Sequence, residues 1–424
     1  MPRGIKKNAP PKAPAVGLQN IKTRTRKPAV KKDKTIAPAH LALHLRDLAA
    51  KEFKDTSIKT VDEWIDSIYG VSLCGNLPLQ YLMKIDVFPL ERTFSLSGEQ
   101  GTAKTSLLWY LIKRFAGQEG QGVYLDAEKK VNPDQAMAIL QSRELMANVL
   151  PLPVNSLEDM FKAIRLFSKQ YNEGAISKDV PMFIGVDSLG YLTKQEELDA
   201  SGEDTQKGYQ GMHNASYIKQ QLLEILQNYI PNNPIAIMFL NHQTAKPPAQ
   251  GSFKPAFVPV EHNEPGGRFK EYSYSVKLEM FKGGVVKTVT EGTTPTYRIK
   301  VVKNALGAAE KSPIVVPYRT VFREDTRDEL IDFDWDYALV ELLAEKVSKE
   351  RLHDVMDLSL PSKSRCSSKT VGASDVSWSE MGAMIHANEK ICADLASHVL
   401  NIKHKRIIGS GKKTKEIPDG KNPD

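Results

Sequence analysis

A ten-residue segment of mostly small side chains, SGEQGTAKTS at positions 97–106, constrains the fold of this chain more than any other feature. An apolar stretch, RTFSLS, precedes it, and a helical pattern, KTSLLWYLIKRF, begins at residue 104. A strand, a glycine loop and a helix in that order form the setting in which backbone N–H groups and a helix N-terminus hold phosphate. The segment therefore predicts a phosphate-binding loop; the alternative is a chance helix start.

One position departs from the usual pattern G-x-x-x-x-G-K-[ST], because Ala103 stands where the second glycine belongs. Alanine adds a methyl group, and we expect it to fit only if its φ is negative. Lys104 is expected to reach the β- and γ-phosphates, and the Thr105 hydroxyl to bind Mg²⁺. The expected nucleotide-binding residues of the loop are Gly98, Glu99, Gln100, Gly101, Thr102, Ala103, Lys104, Thr105 and Ser106.

The segment from 91 to 320 alternates strand-like and helix-like patterns. Strands are expected at 92–97, 122–128, 181–188, 234–243, 274–281 and 296–304, and helices at 104–115, 155–171 and 210–229. This alternation predicts an α/β core with a mostly parallel sheet covered by helices. Ligands bind such sheets at the carboxyl ends of the strands.

Smaller elements are expected on both sides of this core. Residues 40–90 read as an N-terminal helical element, with a capping box at Thr60 and Glu63. Residues 321–375 read as a small C-terminal element that ends in a linker over 361–375, and residues 376–424 as a short helix and a basic tail.

The charge of the chain is concentrated at its ends. Residues 1–39 hold eleven Lys or Arg, one Asp and six prolines, and residues 403–424 hold seven basic and three acidic side chains. The first segment has almost no large apolar residues, so we expect it to be disordered. Such tails can attract a polyanion such as nucleic acid, and a solvated tail is the alternative.

Composition narrows the class of protein further. The chain is 41% hydrophobic and 26% charged, as in ordinary globular proteins, and no apolar run approaches the length of a membrane span. Its three cysteines lie far apart, without metal-ligand spacing. We therefore expect no membrane association and a reducing, cytoplasmic compartment.

Polar side chains end three of the expected strands. Asp126 and Glu128 close GVYLDAE, Asp187 closes FIGVDS, and His242 or Gln243 closes the strand that ends in NHQ. A carboxylate at the first end can orient or deprotonate a water, and Asp187 has the position of a Mg²⁺-supporting acid. Taken alone, each motif can instead be a polar strand end that faces solvent and has no catalytic role.

Taken in order, these four motifs resemble the RecA family of recombinases, particularly the phage branch typified by UvsX. Pro265-Gly266-Gly267, the following VKLEM and the strand TYRIKVVKN extend the resemblance, which covers about residues 70–320. It implies a RecA-type ATPase core with ATP and Mg²⁺ as cofactors. The implied roles are catalysis for Lys104, Glu128 as base and Gln243 as γ-phosphate sensor; metal binding for Thr105 and Asp187; and, for Lys303 and Lys300, contact with the neighbouring subunit's nucleotide.

Two polar segments, about 199–213 and 244–267, match the family's DNA-binding loops, although each alone can be an ordinary surface loop. Glycine, lysine and aromatic residues suit contact with phosphates and bases. The implied DNA contacts are Lys207, Tyr209, Lys246, Phe253, Lys254, Gly266, Gly267 and Arg268.

The resemblance implies an ATP-dependent recombinase that forms a filament on single-stranded DNA and exchanges strands with homologous duplex DNA. It further implies self-association through the N-terminal element, single-strand-binding and mediator proteins as partners, and the cytoplasm of a bacterial host if the chain is phage-encoded. Two alternatives stay open: a hexameric helicase built on the same core, and a non-enzymatic filament or loader if Ala103 closes the phosphate site. The sequence also departs from RecA, with Gln135 where an aromatic stacks on adenine and Ala305 in place of an interfacial lysine.

Overall fold

The structure is a computed structural model. It describes residues 38–53, 59, 63, 67–73, 75–199, 207–245, 262–263, 269–288, 292–306, 312–322, 329–360, 362 and 365–408. The chain divides into two compact units, Met1–Val61 and Asp62–Asp424. In the first unit the helix Pro38–Phe53 is described, as expected from its apolar periodicity, and its Leu43, Leu45 and Leu48 side chains are exposed.

The second unit is an α/β body. Its strands are β1 Tyr69–Ser72, β2 Val87–Pro89, β3 Arg92–Gly98, β4 Gln121–Asp126, β5 Val149–Pro153, β6 Met182–Asp187, β7 Ile235–His242, β8 Thr244–Ala245, β9 His262–Asn263, β10 Val276–Thr288, β11 Gly292–Asn304, β12 Ile314–Phe322, β13 Glu329–Phe333, β14 Leu358–Ser359, β15 Arg365–Ser368, β16 Ala373–Ser377 and β17 Arg406–Ile407.

The helices lie mostly between these strands. They are Leu77–Met83, Lys104–Ala116, Pro133–Leu140, Arg143–Ala147, Leu157–Asn172, Gln195–Asp199, Lys207–Glu224, Phe269–Ser273, Trp335–Lys346, Lys349–Met356, Trp378–His386 and Glu389–Asp394. A 3₁₀ turn covers Leu189–Tyr191, and π-helical turns, Ile225–Tyr229 and Leu395–Val399, extend two of the helices.

The main sheet has nine strands in the order β13-β12-β11-β10-β3-β7-β6-β4-β5. The six strands from β10 to β5 are parallel to one another, and β11, β12 and β13 are added antiparallel. The predicted α/β class with a mostly parallel sheet is confirmed. The carboxyl ends of β3, β4, β6 and β7 meet at one edge, because parallel neighbours end together.

Each face of this sheet covers its own hydrophobic core. Along β7, Met238 and Leu240 pack into the first core, whereas Ile237 and Phe239 pack into the second. The helix Lys104–Ala116 and the C-terminal helices cover the first face, and the helix Leu157–Asn172 contributes to the second. A strand buried on both faces needs an unbroken apolar run, which explains why the pattern at 234–243 is continuous rather than alternating.

The boundaries of the smaller elements differ from the expected ones. Residues 69–90, expected in the N-terminal element, form β1, β2 and a helix that belong to the second unit and to its first core. Thr60 of the expected capping box lies outside the described residues. The expected linker at 361–375 instead contains β15 and the start of β16, in which Cys366 and Ser368 are buried. In this serine-rich segment, the alternation of buried and partly exposed residues along β15 is not visible as an alternation of apolar and polar residues.

The C-terminal part also differs from the single helix expected over 378–400. That helix is interrupted at Ala387 and Asn388, where the Asn388 side chain caps a new helix. The chain then returns to the start of the second unit, where β17 pairs with β1. Among the described residues, none of the helices combines the length and apolar character needed to cross a bilayer.

Candidate nucleotide site

The loop between β3 and the helix Lys104–Ala116 has the shape of a phosphate cradle. Gly98, the last residue of β3, lies between Met280 of β10 and His242 of β7. A Cβ atom there would come within 2.3 Å of the Met280 carbonyl oxygen, so only glycine fits. Gly101 has a φ of 72°, a region that favours glycine. The loop residues Glu99, Gln100 and Gly101 are exposed.

Ala103 corrects one expectation from the sequence. Its φ is 58° and its ψ is 26°, so this alanine adopts the left-handed conformation rather than the negative φ we expected. The loop geometry demands that conformation, and the chain tolerates it at a cost of roughly 1–2 kcal/mol for a residue with a Cβ. Alanine therefore leaves the cradle open in this structure, at the expense of backbone strain.

We expect Ala103→Gly to raise the free energy of unfolding by about 0.5 kcal/mol. Glycine relieves the roughly 1–2 kcal/mol of strain in the folded state. This gain exceeds the roughly 0.4–1 kcal/mol by which the greater conformational freedom of glycine stabilises the unfolded chain. Urea denaturation of the nucleotide-free protein measures the change. Ala163→Gly is the matched control, because Ala163 lies inside the right-handed helix Leu157–Asn172 and should be destabilised by about 1 kcal/mol. A loss of stability at 103 equal to that at 163 would contradict the strain argument.

Lys104 is the buried cation of the loop, with 5% of its surface exposed. Its Nζ donates to the carbonyl oxygens of Gly98 (3.0 Å) and Glu99 (2.6 Å) and approaches the Thr102 hydroxyl (3.4 Å). Burial lowers the pKa of Lys104, while the charges of Asp187 and Glu128 oppose that shift. The acceptors that hold this ammonium are neutral oxygens. Because charged phosphate oxygens form stronger hydrogen bonds with an ammonium, Lys104 is suited to exchange its present acceptors for phosphate.

Asp187 and Thr105 meet as the sequence predicts for a magnesium site. The Thr105 hydroxyl donates to Asp187 Oδ2 at 2.7 Å, and the Tyr124 hydroxyl donates to the same oxygen at 2.8 Å. Burial raises the pKa of the Asp187 carboxyl, and these two hydrogen bonds oppose that shift. Trp109, one helical turn after Thr105, stacks on Tyr124 with ring centroids 4.7 Å apart. Tyr124 was not anticipated, because an aromatic inside an apolar strand reads as core.

The two acids after β4 have different surroundings. Asp126 is buried and accepts the backbone N–H groups of Lys130 (3.2 Å) and Val131 (3.1 Å), so it shapes the turn. Glu128 faces the site, with a side chain that is 10% exposed. Its Oε1 accepts Ser188 Oγ at 2.9 Å and contacts His242 Nε2 at 2.8 Å, and its Oε2 accepts Lys130 Nζ at 2.8 Å.

The balance of these contacts decides the basicity of Glu128. Burial raises its pKa, but the hydrogen bonds from Lys130, His242 and Ser188 together outweigh burial and lower the pKa to about 2. The group is therefore a carboxylate at neutral pH. It can orient a water through hydrogen bonding, and its strength as a proton acceptor depends on how many of these donors stay in place.

The end of β7 presents two polar side chains with different partners. His242 contacts Glu128, whereas the Gln243 amide donates to Ser97 Oγ at 3.2 Å and to Glu279 Oε1 at 3.1 Å. The Gln243 backbone N–H also donates to the Gly98 carbonyl at 3.1 Å. The end of β7 is thus bonded to the phosphate loop on one side and to Glu128 on the other.

One contact at the loop could not be anticipated from the sequence. Ser106 Oγ hydrogen-bonds the hydroxyl of Tyr318 on β12 at 2.7 Å, and Gln135 hydrogen-bonds the same phenol. Gln135 is the residue at which the sequence departs from the adenine-stacking aromatic that the resemblance to RecA implies. Ser106 and Tyr318 are 212 residues apart, and no spacing in the sequence connects them.

Lys303 and Lys300 lie on β11, two strands from β3. Lys300 pairs with Glu279, which pairs with Ser97, the residue before Gly98. Lys303 pairs with Lys277, which in turn pairs with Ser95, three residues before Gly98. The Lys303 amine donates to the carbonyl oxygens of Glu271 (2.8 Å) and Tyr272 (3.2 Å). The structure therefore does not bring Lys303 together with the other candidate residues within one subunit.

Most candidate DNA contacts fall outside the described residues: Lys246, Phe253, Lys254, Gly266, Gly267 and Arg268. Lys207 and Tyr209 lie in the first turn of the helix Lys207–Glu224, so the second half of the expected loop 199–213 is helical. Within the part of the chain that the structure describes, three or more His, Cys, Asp or Glu side chains nowhere gather into a metal cluster. A metal at this site would have to share phosphate oxygens, as Mg²⁺ commonly does.

Comparison with known proteins places this chain in a family. The family model for the RecA N-terminal domain matches residues 40–318. The RecA protein of Latilactobacillus sakei subsp. sakei is 24% identical over 256 residues, 60% of this chain and 65% of that protein. RecA of Bacillus subtilis is 24% identical over 270 residues (64% and 69%), and RecA of Acinetobacter baumannii 26% over 285 residues (66% and 74%). The matches thus span about two thirds of the relatives' length. The strand-end motifs and this match together identify the chain as a member of the RecA family.

Proposed function

We propose that this chain is an ATP-dependent recombinase that forms a filament on single-stranded DNA and promotes pairing and strand exchange with homologous duplex DNA. The observation that carries the proposal is the meeting of three strand ends on one carboxylate: Ser188 after β6 and His242 of β7 both contact Glu128, which follows β4. This cluster stands next to a phosphate loop with a buried lysine. RecA membership favours a recombinase and does not favour the helicase alternative.

The residues of the loop fit a magnesium-bound ATP. Lys104 and the loop N–H groups would hold the phosphates, and Thr105 with Asp187 would hold Mg²⁺. Bound Mg²⁺ would neutralise charge that develops during phosphoryl transfer. Glu128 would orient and deprotonate the attacking water. Tyr318 would lie toward the base, because it contacts Ser106 in the first turn of the helix that follows the loop, and Gln135 would lie beside the same phenol.

His242 and Gln243 would connect nucleotide state to DNA binding. Their contacts with Glu128, Ser97 and the Gly98 carbonyl tie the start of the proposed second DNA loop to the phosphate site. Loss of the γ-phosphate on hydrolysis would alter these contacts and thereby the affinity for DNA. Gln243 would act as the sensor, and His242, the other candidate at this strand end, contacts Glu128 directly.

Tyr124 supports this assignment of the metal site, and we expect Tyr124→Phe to raise the Mg²⁺ concentration needed for ATP binding by about tenfold or more. The phenol donates one of two hydrogen bonds to Asp187 Oδ2, and a hydrogen bond to a charged group contributes roughly 1.5–3 kcal/mol. Titration of a fluorescent ATP analogue at increasing Mg²⁺ measures the shift. Tyr171→Phe, whose hydroxyl donates to the distant Val180 carbonyl, is the control. An unchanged Mg²⁺ requirement would remove Tyr124 from the site.

Self-association would involve two parts of the chain. The helix Pro38–Phe53 exposes Leu43, Leu45 and Leu48, which suits it to pack on a second subunit. Lys303, with Lys300, would reach the nucleotide of that neighbour; within its own chain the Lys303 amine donates to the carbonyl oxygens of Glu271 and Tyr272 rather than to the loop. ATP at the interface would then favour assembly.

DNA would bind along the two loops that follow β6 and β7. The proposed contacts are Lys207, Tyr209, Lys246, Phe253, Lys254, Gly266, Gly267 and Arg268. Backbone contact of this kind predicts weak sequence dependence and steep salt dependence. The basic tails would add affinity or recruit single-strand-binding and mediator proteins. We further propose the UvsX-like phage branch, on the basis of Ala103 and the basic C-terminal tail, and with it the cytoplasm of a bacterial host.

A strand-exchange assay with single-stranded circular and homologous linear duplex DNA tests the proposed function. We expect joint molecules with ATP and Mg²⁺, none without nucleotide, and a smaller yield when residues 1–39 are removed. Electron microscopy with a non-hydrolysable ATP analogue should show helical filaments on single strands. Rings without strand exchange would instead indicate the helicase, and DNA binding that ignores ATP would indicate the non-enzymatic filament.

A further inference from the structure

The turn after β4 holds a second charged side chain beside Glu128. The Asp126 carboxylate accepts the backbone N–H groups of Lys130 and Val131, and the N–H groups of Ala127 and Glu128 donate to the Asp187 carbonyl at 2.9 and 3.3 Å. Lys129, which lies between Glu128 and Lys130, has a φ of 53°, and this left-handed conformation tightens the turn. The backbone on both sides of Glu128 is therefore held, and the Lys130 amine is presented to the carboxylate.

The two oxygens of Glu128 are used unequally. Oε1 has contacts with Ser188 and His242, which fill the two lone-pair directions of that oxygen. Oε2 accepts Lys130 Nζ at 2.8 Å, so the remaining acceptor capacity of Glu128 is next to a cation. A water that Glu128 activates must therefore share Oε2 with Lys130. The Lys130 side chain is 64% exposed and can leave into solvent.

We propose that Lys130 is a positioning residue that restrains Glu128 in the DNA-free chain, and that the segment carrying Tyr191 controls its release. This inference rests on the proposed role of Glu128 as the base in ATP hydrolysis. The Lys130 amine lies 5.6 Å from the centroid of the Tyr191 ring, a cation–π distance, and Tyr191 is 58% exposed. Tyr191 closes the 3₁₀ turn after β6, from which the chain leads through the helix Gln195–Asp199 to the proposed first DNA loop.

The chemistry explains why DNA would stimulate turnover. While Lys130 donates to Oε2, it withdraws charge from the carboxylate and occupies the place of a water. When DNA engages the segment after β6, Tyr191 moves and the Lys130 amine loses the ring contact that helps to hold it beside Glu128, so it leaves Oε2 for solvent. Both lone pairs of Oε2 are then open to water, and Glu128 becomes a better proton acceptor. The restraint is weak, since an ion pair with an exposed lysine contributes little to stability in water.

Turnover measurements test the restraint directly. We expect Lys130→Met to raise ATP turnover without DNA about two- to fivefold and to reduce the stimulation by DNA, with the KM for ATP unchanged. Lys130→Arg keeps a donor and should behave as wild type, and Tyr191→Ala should lie between wild type and Lys130→Met. Lys129→Met is the matched control. Lys129 is the neighbouring exposed lysine, and the described side-chain partners of Glu128 are Lys130, Ser188 and His242, so turnover should be unchanged.

Acylation of lysines gives a readout that does not depend on turnover. The hydrogen bond to Glu128 raises the pKa of the Lys130 amine and so slows its acylation. With an N-hydroxysuccinimide ester and mass spectrometry, we expect Glu128→Gln to accelerate labelling of Lys130 severalfold relative to Lys129. If Glu128→Gln is inactive but Lys130→Met turns over no faster than wild type, this inference is overturned while the proposed function stands. If Glu128→Gln hydrolyses ATP as wild type does, the proposed base is wrong and both are overturned.

Discussion

Replacing Lys104 by alanine is expected to reduce ATP turnover by at least about 100-fold and to abolish tight nucleotide binding. The Lys104 amine is buried beneath the loop, where it donates to the Gly98 carbonyl oxygen. Removal of one preorganised donor from a transition-state site typically lowers kcat by about 10²–10³. Alanine can neither attract the phosphates nor stabilise their developing charge, so both binding and turnover should fall.

Two measurements separate this loss from unfolding. DNA-stimulated phosphate release reports turnover, and titration of a fluorescent ATP analogue reports binding. Urea denaturation should change by no more than about 1 kcal/mol, because losing the amine's hydrogen bonds is offset by removing a buried charge. Lys169→Ala is the matched control, since Lys169 is an exposed lysine that pairs with Glu173. Turnover in Lys104→Ala within a few fold of wild type would refute the phosphate site.

Replacing Glu128 by glutamine is expected to separate binding from turnover. Glutamine keeps the shape of the side chain but cannot accept a proton, and general base catalysis typically contributes about 10²–10⁴-fold. ATP affinity should stay within about threefold of wild type, because Lys104, Thr105 and Asp187 are unchanged. Since hydrolysis is expected to release DNA, the variant should stay on single strands longer in the presence of ATP.

The dissociation rate of fluorescent single-stranded DNA after a competitor is added measures this effect, with phosphate release measured in parallel. Glu173→Gln, at an exposed carboxylate that pairs with Lys169, is the control. The expected pattern is slow turnover with prolonged DNA binding in Glu128→Gln, against weak binding of both ligands in Lys104→Ala. Wild-type turnover in Glu128→Gln would assign the base to another residue.

Much of the core follows from patterns that can be read along the chain. The apolar runs at 122–128, 181–188 and 234–243 became β4, β6 and β7, all of which end at the site. Such runs are needed wherever both faces of a strand are buried, and a polar residue follows where the strand leaves the core. The strand–loop–helix context likewise predicted the phosphate loop and the meeting of Thr105 with Asp187.

The sequence does not predict which side chains contact each other at the site. Both His242 and Gln243 were candidates, and only the register of β7 against β3 shows that His242 turns to Glu128 while Gln243 turns to Ser97 and Glu279. No sequence pattern singled out Lys130. Its contact with Glu128 depends on the Asp126 cap and on the left-handed Lys129.

By itself, the sequence determined the class of fold, the order of the strands that carry polar ends, and the loop that suits phosphate. These three features depend on burial and on residues that are adjacent along the chain, and both produce patterns that can be recognised in the sequence. Tertiary structure alone decided the left-handed φ of Ala103, the contact of Tyr318 with Ser106 across 212 residues, and the return of β17 to β1. Such contacts are set by how distant segments pack against each other, and packing leaves no local pattern to read.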